Sequence, residues 1–578
     1  MHEQQHIMSN GESLNGASPS MRLLMKPLFN DPAQGSTGRP EPIAINITMT
    51  IRVPRQRFGP DTPLLELPLM IAKTPSARYD DDNPLLASLD DGDFLRLKYR
   101  DEDPVEGPRL WYLDQNELEG RLATKETSVI KVRFTAPYRR TDEKTLPGPR
   151  VDLRRDITGG GLVGQGEGFI PVPPPPTRKG SGNEDEGGEE QKELWQVAVE
   201  WDLADAPEGT HGAWSLGDDQ ASSATGTMEW TVTHAIFAVG YLQRFPDWGV
   251  DIAAARAGES VFAMYWLDPS PYDMAALAQS TRAIYARIAA YFDGSTDPFR
   301  VFFRQIEANS GGTGATLSFM LEYSLLSVGQ TDEHALADLL AHETVHEFAL
   351  LDEAAPGSSP PEWQEDEASW YVEGVASYVG ALAGLNDPTR KDWMVKSMNN
   401  YAQSYYTSPV VGMPFDDVLS DYWGDVDITR VSYYRGLMYL AELDGMIWKE
   451  SHGKKSMDDV IVDLYKLRKE GKPCGLATLK EKVADVIGQE SLDRSYDAMF
   501  KGDLIIPSED CLERYGLKLV KMEWKKFELG FDTQSMREFK VRGLVSGSAA
   551  DKAGVKEKGM SLLGALWCGS SKTSWMFP

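Results

Sequence analysis

From residue 41 to about 245, apolar side chains recur at every second position, the period of a strand with one face buried. In IAINITMTIRV the residues Ile43, Ile45, Ile47, Met49, Ile51 and Val53 alternate with more polar neighbours. Ile130, Val132 and Phe134 repeat the pattern, as do Trp195, Val197, Val199, Trp201 and Leu203, then Trp230 and Val232 ahead of HAIFAVGYL. The period predicts a β-sandwich-like N-terminal domain over 41–248. Two stretches break it. Residues 1–40 are rich in Ser, Gly, Asn and Pro and are expected to form a disordered tail. Residues 145–193 hold TGGGLVGQGEGF, PVPPPPTRKG and SGNEDEGGEEQKE, a composition expected to form a mobile insert whose proline run acts as a linker.

Beyond residue 249 the period lengthens to that of a helix. Met274, Leu277, Ile284, Ile288 and Tyr291 form one stripe, with Gly294 as a stop signal. Helical patterning runs to 508, and 512–578 returns to short strand and turn signals. The fold class expected is multidomain α+β.

Composition narrows the function classes. The net charge is -29, and no long Lys/Arg run is present. A nucleic-acid backbone or an anionic membrane surface is therefore not an expected partner. The amino terminus has neither a basic nor an apolar leader region and no eighteen apolar residues follow one another, so a cytoplasmic protein is expected. Cys474, Cys511 and Cys568 are odd in number and far apart, so they are read as unpaired thiols.

Candidate chemistry lies in TDEHALADLLAHETVHEFALL. Leu336, Leu339, Leu340, Val345, Phe348 and Leu351 give a buried stripe, Thr331 or Asp332 can cap the start, and 341–346 is helical. Residues four apart share a helix face, so His342 and His346 can both reach one Zn2+ at about 2.0–2.1 Å. Glu343 then lies beside the ion without binding it. In SWYVEGVASYVGALAGL, residues 369–385, Glu373 is the third expected ligand: a charge among Trp370, Tyr371, Val372, Val375 and Tyr378 needs a partner. Two imidazoles, one carboxylate and an open fourth position make a catalytic site, with one zinc per chain.

HETVH followed by WYVEGVASYVG resembles the gluzincin metallopeptidases, and more narrowly the glycyl aminopeptidase-like family. VSYYRGLMYLAELDGMIWKESHGKKSMDDVIVDLY is similar to that family's tyrosine-bearing helix and the stretch after it. The resemblance implies a β-rich domain, a thermolysin-like catalytic domain over 249–508, and a PDZ domain, here incomplete at 512–578. It implies a peptide substrate, zinc ligands His342, His346 and Glu373, Glu343 as general base, and Tyr433 as donor to the oxyanion, with Tyr434 the substrate-side neighbour and the alternative if the register slips by one. Arg435 stands where the family has lysine. In NSGGTGATLSF the family's substrate loop keeps Gly311 and Gly312 but lacks its acid, for which Glu322 or Glu307 are the candidate substitutes. Leu529, Gly530 and Phe531 resemble the PDZ loop that holds a C-terminal peptide. The expected function is zinc-dependent peptide-bond hydrolysis as an aminopeptidase. The alternatives are a zinc endopeptidase or amidase, and a catalytically inactive PDZ-bearing binding protein.

Overall fold

The computed structural model describes residues 19–557 except 35–37, 55–61, 72–73, 90–91, 102–106, 114–126, 143–144, 146–149, 176–192, 219–220, 251–260, 293–297, 308–309, 329–330, 350, 352–367, 423–425, 523–529, 533–534 and 536–539. The chain divides into two compact units, Met1–Leu519 and Val520–Pro578.

The first unit is layered. A seven-stranded sheet runs in the order Ser222–Gly226, Trp195–Trp201, Ser20–Phe29, Pro42–Pro54, Thr127–Pro137, Leu86–Leu89, Leu95–Arg96. The alternation read from the sequence is present: Ile45, Ile47, Met49, Ile51 and Val53 are at most 1% exposed. Ile43 departs from it at 37% exposed, because the register with Ser20–Phe29 shifts between Leu28 and Phe29 and moves the start of the strand off phase. Two expectations are corrected. Ser20–Phe29 lies within the expected tail, yet it is an interior strand whose Met21, Leu23 and Met25 are buried. Trp230 and Val232 fall in a π-helical turn, Glu229–Thr233, and not on a strand.

A five-stranded sheet lies on the first, ordered Arg154–Arg155, Gly161–Gln165, Ile236–Gly240, His211–Trp214, Gly217–Asp218. Its second strand comes from the expected mobile insert, and that expectation is wrong for this stretch: Gly161–Gln165 is buried throughout. Leu162, Phe237 and Val239 face the first sheet's core, while Val163, Ile236 and Ala238 pack on a third sheet behind. A strand covered on both faces has no polar side to alternate with, so composition alone read it as linker.

The third sheet is mixed, ordered Leu242–Phe245, Phe262–Leu267, Phe299–Gln305, Ser318–Tyr323, Gly311–Ala315. Tyr265, Phe302 and Met320 pack toward the second sheet, and Met264, Val301, Phe303, Phe319 and Leu321 join the core shared with the helices. Those helices include Met274–Tyr291, Glu333–Val345, Ser369–Val379 and Val426–Glu450. Among the described residues no helix is long and apolar enough to cross a membrane. Cys474 and Cys511 are buried and form no disulfide among the described residues, and Cys568 lies outside them.

In the second unit Gly530 adopts φ +75°, its carbonyl accepts from Val545 N at 2.8 Å, and Ser548 caps the short helix Ala549–Lys552. Phe531 is half-buried, and Leu529 lies outside the described residues.

Candidate active site

Three elements converge at the edge of the third sheet. The helix Glu333–Val345 starts where the Asp332 side chain accepts from Ala335 N at 2.8 Å, which selects Asp332 over Thr331 as the cap. The helix ends at Val345, and His346 keeps helical angles (φ -56°, ψ -27°), so His342 and His346 stay on one face. The helix Ser369–Val379 is buried at every position, and a π-turn, Gly380–Gly384, replaces the last part of the helix expected over 369–385. Gly380 lets the two helices meet, since a Cβ there would stand 3.2 Å from His342 N.

The donor atoms form a small triangle. His342 Nε2 is 3.1 Å from His346 Nε2 and 3.2 Å from Glu373 Oε2, and His346 Nε2 is 3.5 Å from that same oxygen. Ligands about 2.0–2.1 Å from a tetrahedral zinc stand about 3.3–3.4 Å apart, so the triangle has the dimensions of three corners of such a site. Among the described residues this is the one group of three or more metal-ligating side chains whose donor atoms lie this close. All three side chains are shielded from solvent, at 6%, 14% and 9% exposed. Burial would raise the Glu373 carboxyl, but His342 and His346 hold it down, to about 2.

Ser377, which the sequence reading missed, fixes the His342 ring. Its hydroxyl donates to Glu373 O at 3.0 Å and so accepts from His342 Nδ1 at 3.2 Å. That tautomer directs the Nε2 lone pair into the triangle. The signal was available, since Ser377 lies four residues after Glu373 and shares its helix face.

Glu343 is half-buried on the next helix position and binds none of the three. Burial raises its carboxyl above the usual range, against the pull of His342 and His346. The strand Gly311–Ala315 passes directly over it: a Cβ on Gly312 would lie 2.1 Å from Glu343 Oε1. Gly311 faces the other way, against the Arg150 guanidinium.

Tyr433 arrives on the helix Val426–Glu450. Its ring stacks on His342 with centroids 5.2 Å apart, and its hydroxyl bonds Glu373. The approach depends on a glycine-to-glycine crossing: a Cβ on Gly436 would meet Trp370 O at 1.9 Å and Gly374 Cα at 2.8 Å. Tyr434 packs beside Tyr401 instead, with ring centroids 6.1 Å apart. Arg435 is buried away from the triangle and donates to Val411 O and Met413 O.

Neither candidate acid replaces the missing loop carboxylate. Glu322 pairs in register with Gly311, on the sheet face opposite Gly312 and Glu343, and is ion-paired with Arg150, Arg154 and Arg304. Glu307 is exposed and accepts from Thr141 Oγ1 at 3.2 Å.

No protein-family model matches the sequence, and no curated protein does. Solved structures do match. An aminopeptidase N family protein from Idiomarina loihiensis is 13% identical, with a TM-score of 0.55 over 86% of this chain and 78% of that one. An M1 zinc metallopeptidase from Deinococcus radiodurans is 14% identical, with a TM-score of 0.47 over 86% of this chain and 97% of that one. At these identities the first likeness establishes a shared fold.

Proposed function

We propose that the chain is a zinc-dependent metallopeptidase. The observation that carries the reading is the triangle of His342, His346 and Glu373 with an unbound acid, Glu343, one helix position away. His342, His346 and Glu373 would hold a zinc ion, which would supply water activation and a Lewis acid for the scissile carbonyl. The rest of the work falls to the chain. Glu343 takes a proton from the attacking water and returns it to the leaving amine, and burial, by raising its pKa, brings it nearer the range suited to that exchange. Tyr433 stands over His342 with its hydroxyl on the ligand side, and its one O–H would leave Glu373 to donate to the developing oxyanion. Gly312, without a side chain, leaves room for the Glu343 carboxylate against the strand, and Gly314 leaves the next position on that face open to a substrate.

The family resemblance and the fold of the Idiomarina protein support an aminopeptidase. One observation favours the second reading, an endopeptidase or amidase: no carboxylate stands on Gly311–Ala315, and Glu322 points to the other face. An inactive binding protein is disfavoured because Glu343 and all three ligands are present. The PDZ-like reading of 512–578, with a C-terminal peptide as partner, rests on Leu529, Gly530 and Phe531 and is supported by the positive φ of Gly530. The test is hydrolysis of peptide amides by the purified chain with and without chelator. Cleavage abolished by chelator and restored by zinc is expected, and chelator-insensitive cleavage would refute the metal mechanism.

A further inference from the structure

The strand Gly311–Ala315 is the free edge of its sheet, so its backbone is what a substrate meets above Glu343. The side-chain position facing the groove two residues beyond Gly312 belongs to Gly314, where a Cβ would have nothing within 4 Å. There is room for a substrate group at this place, and the strand itself offers it no counter-charge.

The Glu343 carboxylate lies beneath Gly312, whereas the charged side chain bonded to the strand itself is positive. Arg150, from the N-terminal part of the chain, lies against Gly311 on the face opposite Gly312 and Glu343, and its guanidinium reaches backbone carbonyls of this edge strand. Its Nη1 donates to Gly312 O at 3.4 Å and its Nη2 to Ser310 O at 3.0 Å, while Nε pairs with Glu322 at 3.0 Å. A guanidinium has five N–H groups, so two of Arg150's remain for an incoming acceptor among the described residues. Glu322 does not neutralise it, because the same carboxylate also pairs with Arg154 and Arg304. Arg154 and Arg139 share Asp152, so among the described residues the ion-paired cluster holds four guanidiniums and two carboxylates. Arg150 is its partly exposed member nearest the strand, with a side chain 19% exposed. An ammonium beside this group would meet repulsion, whereas a carboxylate would gain a charge-assisted hydrogen bond.

We propose that Arg150 is a specificity-determining residue: the groove takes peptides that carry a carboxylate on the acyl side of the scissile bond, in place of the free α-amine of an aminopeptidase substrate. This rests on the peptidase reading for its reaction, but not for its binding preference.

The test compares one peptide amide in free-amine, N-acetyl, N-succinyl and N-acetyl-aspartyl forms. Both hydrolysis and calorimetric binding to the zinc-loaded full chain are measured. The N-succinyl or aspartyl form is expected to exceed the neutral N-acetyl form by roughly tenfold or more in kcat/KM and in affinity, with the free amine lowest. Which of the two anionic forms leads identifies a cap or a side chain as the source. Arg150→Gln should erase the anionic preference, and Arg150→Lys should retain part of it. Gly314→Glu, at an open position outside the ion cluster, should move the preference toward the free amine even if the Arg150 variants do not fold. Anionic-selective binding without any cleavage would uphold the charge preference and overturn the peptidase reading alone. A free-amine substrate bound and cleaved best by the unaltered chain, an anionic preference unchanged in a folded Arg150→Gln, or, where the Arg150 variants do not fold, one unmoved by Gly314→Glu, would overturn the proposal.

Discussion

The reach of the site from single residues is short: a few tenths of an ångström decide whether three donors surround one ion. His342 Nδ1 is held by Ser377 Oγ, so Ser377 sets the ring angle without touching the metal itself. Ser377→Ala is therefore expected to weaken zinc affinity by about tenfold to a hundredfold while leaving the fold intact, as read by competition with a chromogenic chelator. Unchanged affinity would show the hydrogen bond to be incidental. At this scale the sequence was most legible, since the spacing of His342 and His346 on a helix face and the apolar surroundings of Glu373 are local facts. Arg150 was not legible. Its partners Gly312 and Glu322 are far from it in sequence, and no local period marks a residue brought in by tertiary packing.

Between elements, the site depends on backbones allowed to approach. Gly436 meets Trp370 O and Gly374 across two helices, and through that crossing Tyr433 reaches His342. Gly436→Ala should cost about 1–3 kcal/mol in urea unfolding, and should lower turnover further by pushing Tyr433 away from the ligands. Full stability with full turnover would mean the helices have slack here. The helices themselves were legible from their stripes and from the cap at Asp332. The helix Ser369–Val379 passed only because its flanking residues were apolar; buried all round, it shows no stripe to read. The same physics hid the strand Gly161–Gln165, whose two faces are both covered and whose glycines suggested a linker. Gly164 shows why glycine stands there: a Cβ would come 2.6 Å from Leu153 Cα.

Across the first unit, the β-rich part is layered onto the helical part through the second sheet, which shares one core with the first sheet and another with the third. Residues near the amino end therefore belong to the core, against the expectation of a tail. Leu23 is fully buried on an interior strand, and Leu23→Ala should lower unfolding stability by about 2–4 kcal/mol. No loss on urea titration would detach Ser20–Phe29 from the core. The tail was misread because composition was averaged over forty residues, which swamped ten of strand. The central claim, that this scaffold presents a metal and a separate general base to a peptide bond, is tested most directly by one comparison. Zinc content and hydrolysis of a peptide amide are measured side by side for the unaltered chain and for Glu343→Gln. One zinc per chain in both, with turnover falling about a hundredfold or more in the variant, is the predicted result. A variant that keeps its zinc and cleaves at the original rate would contradict it.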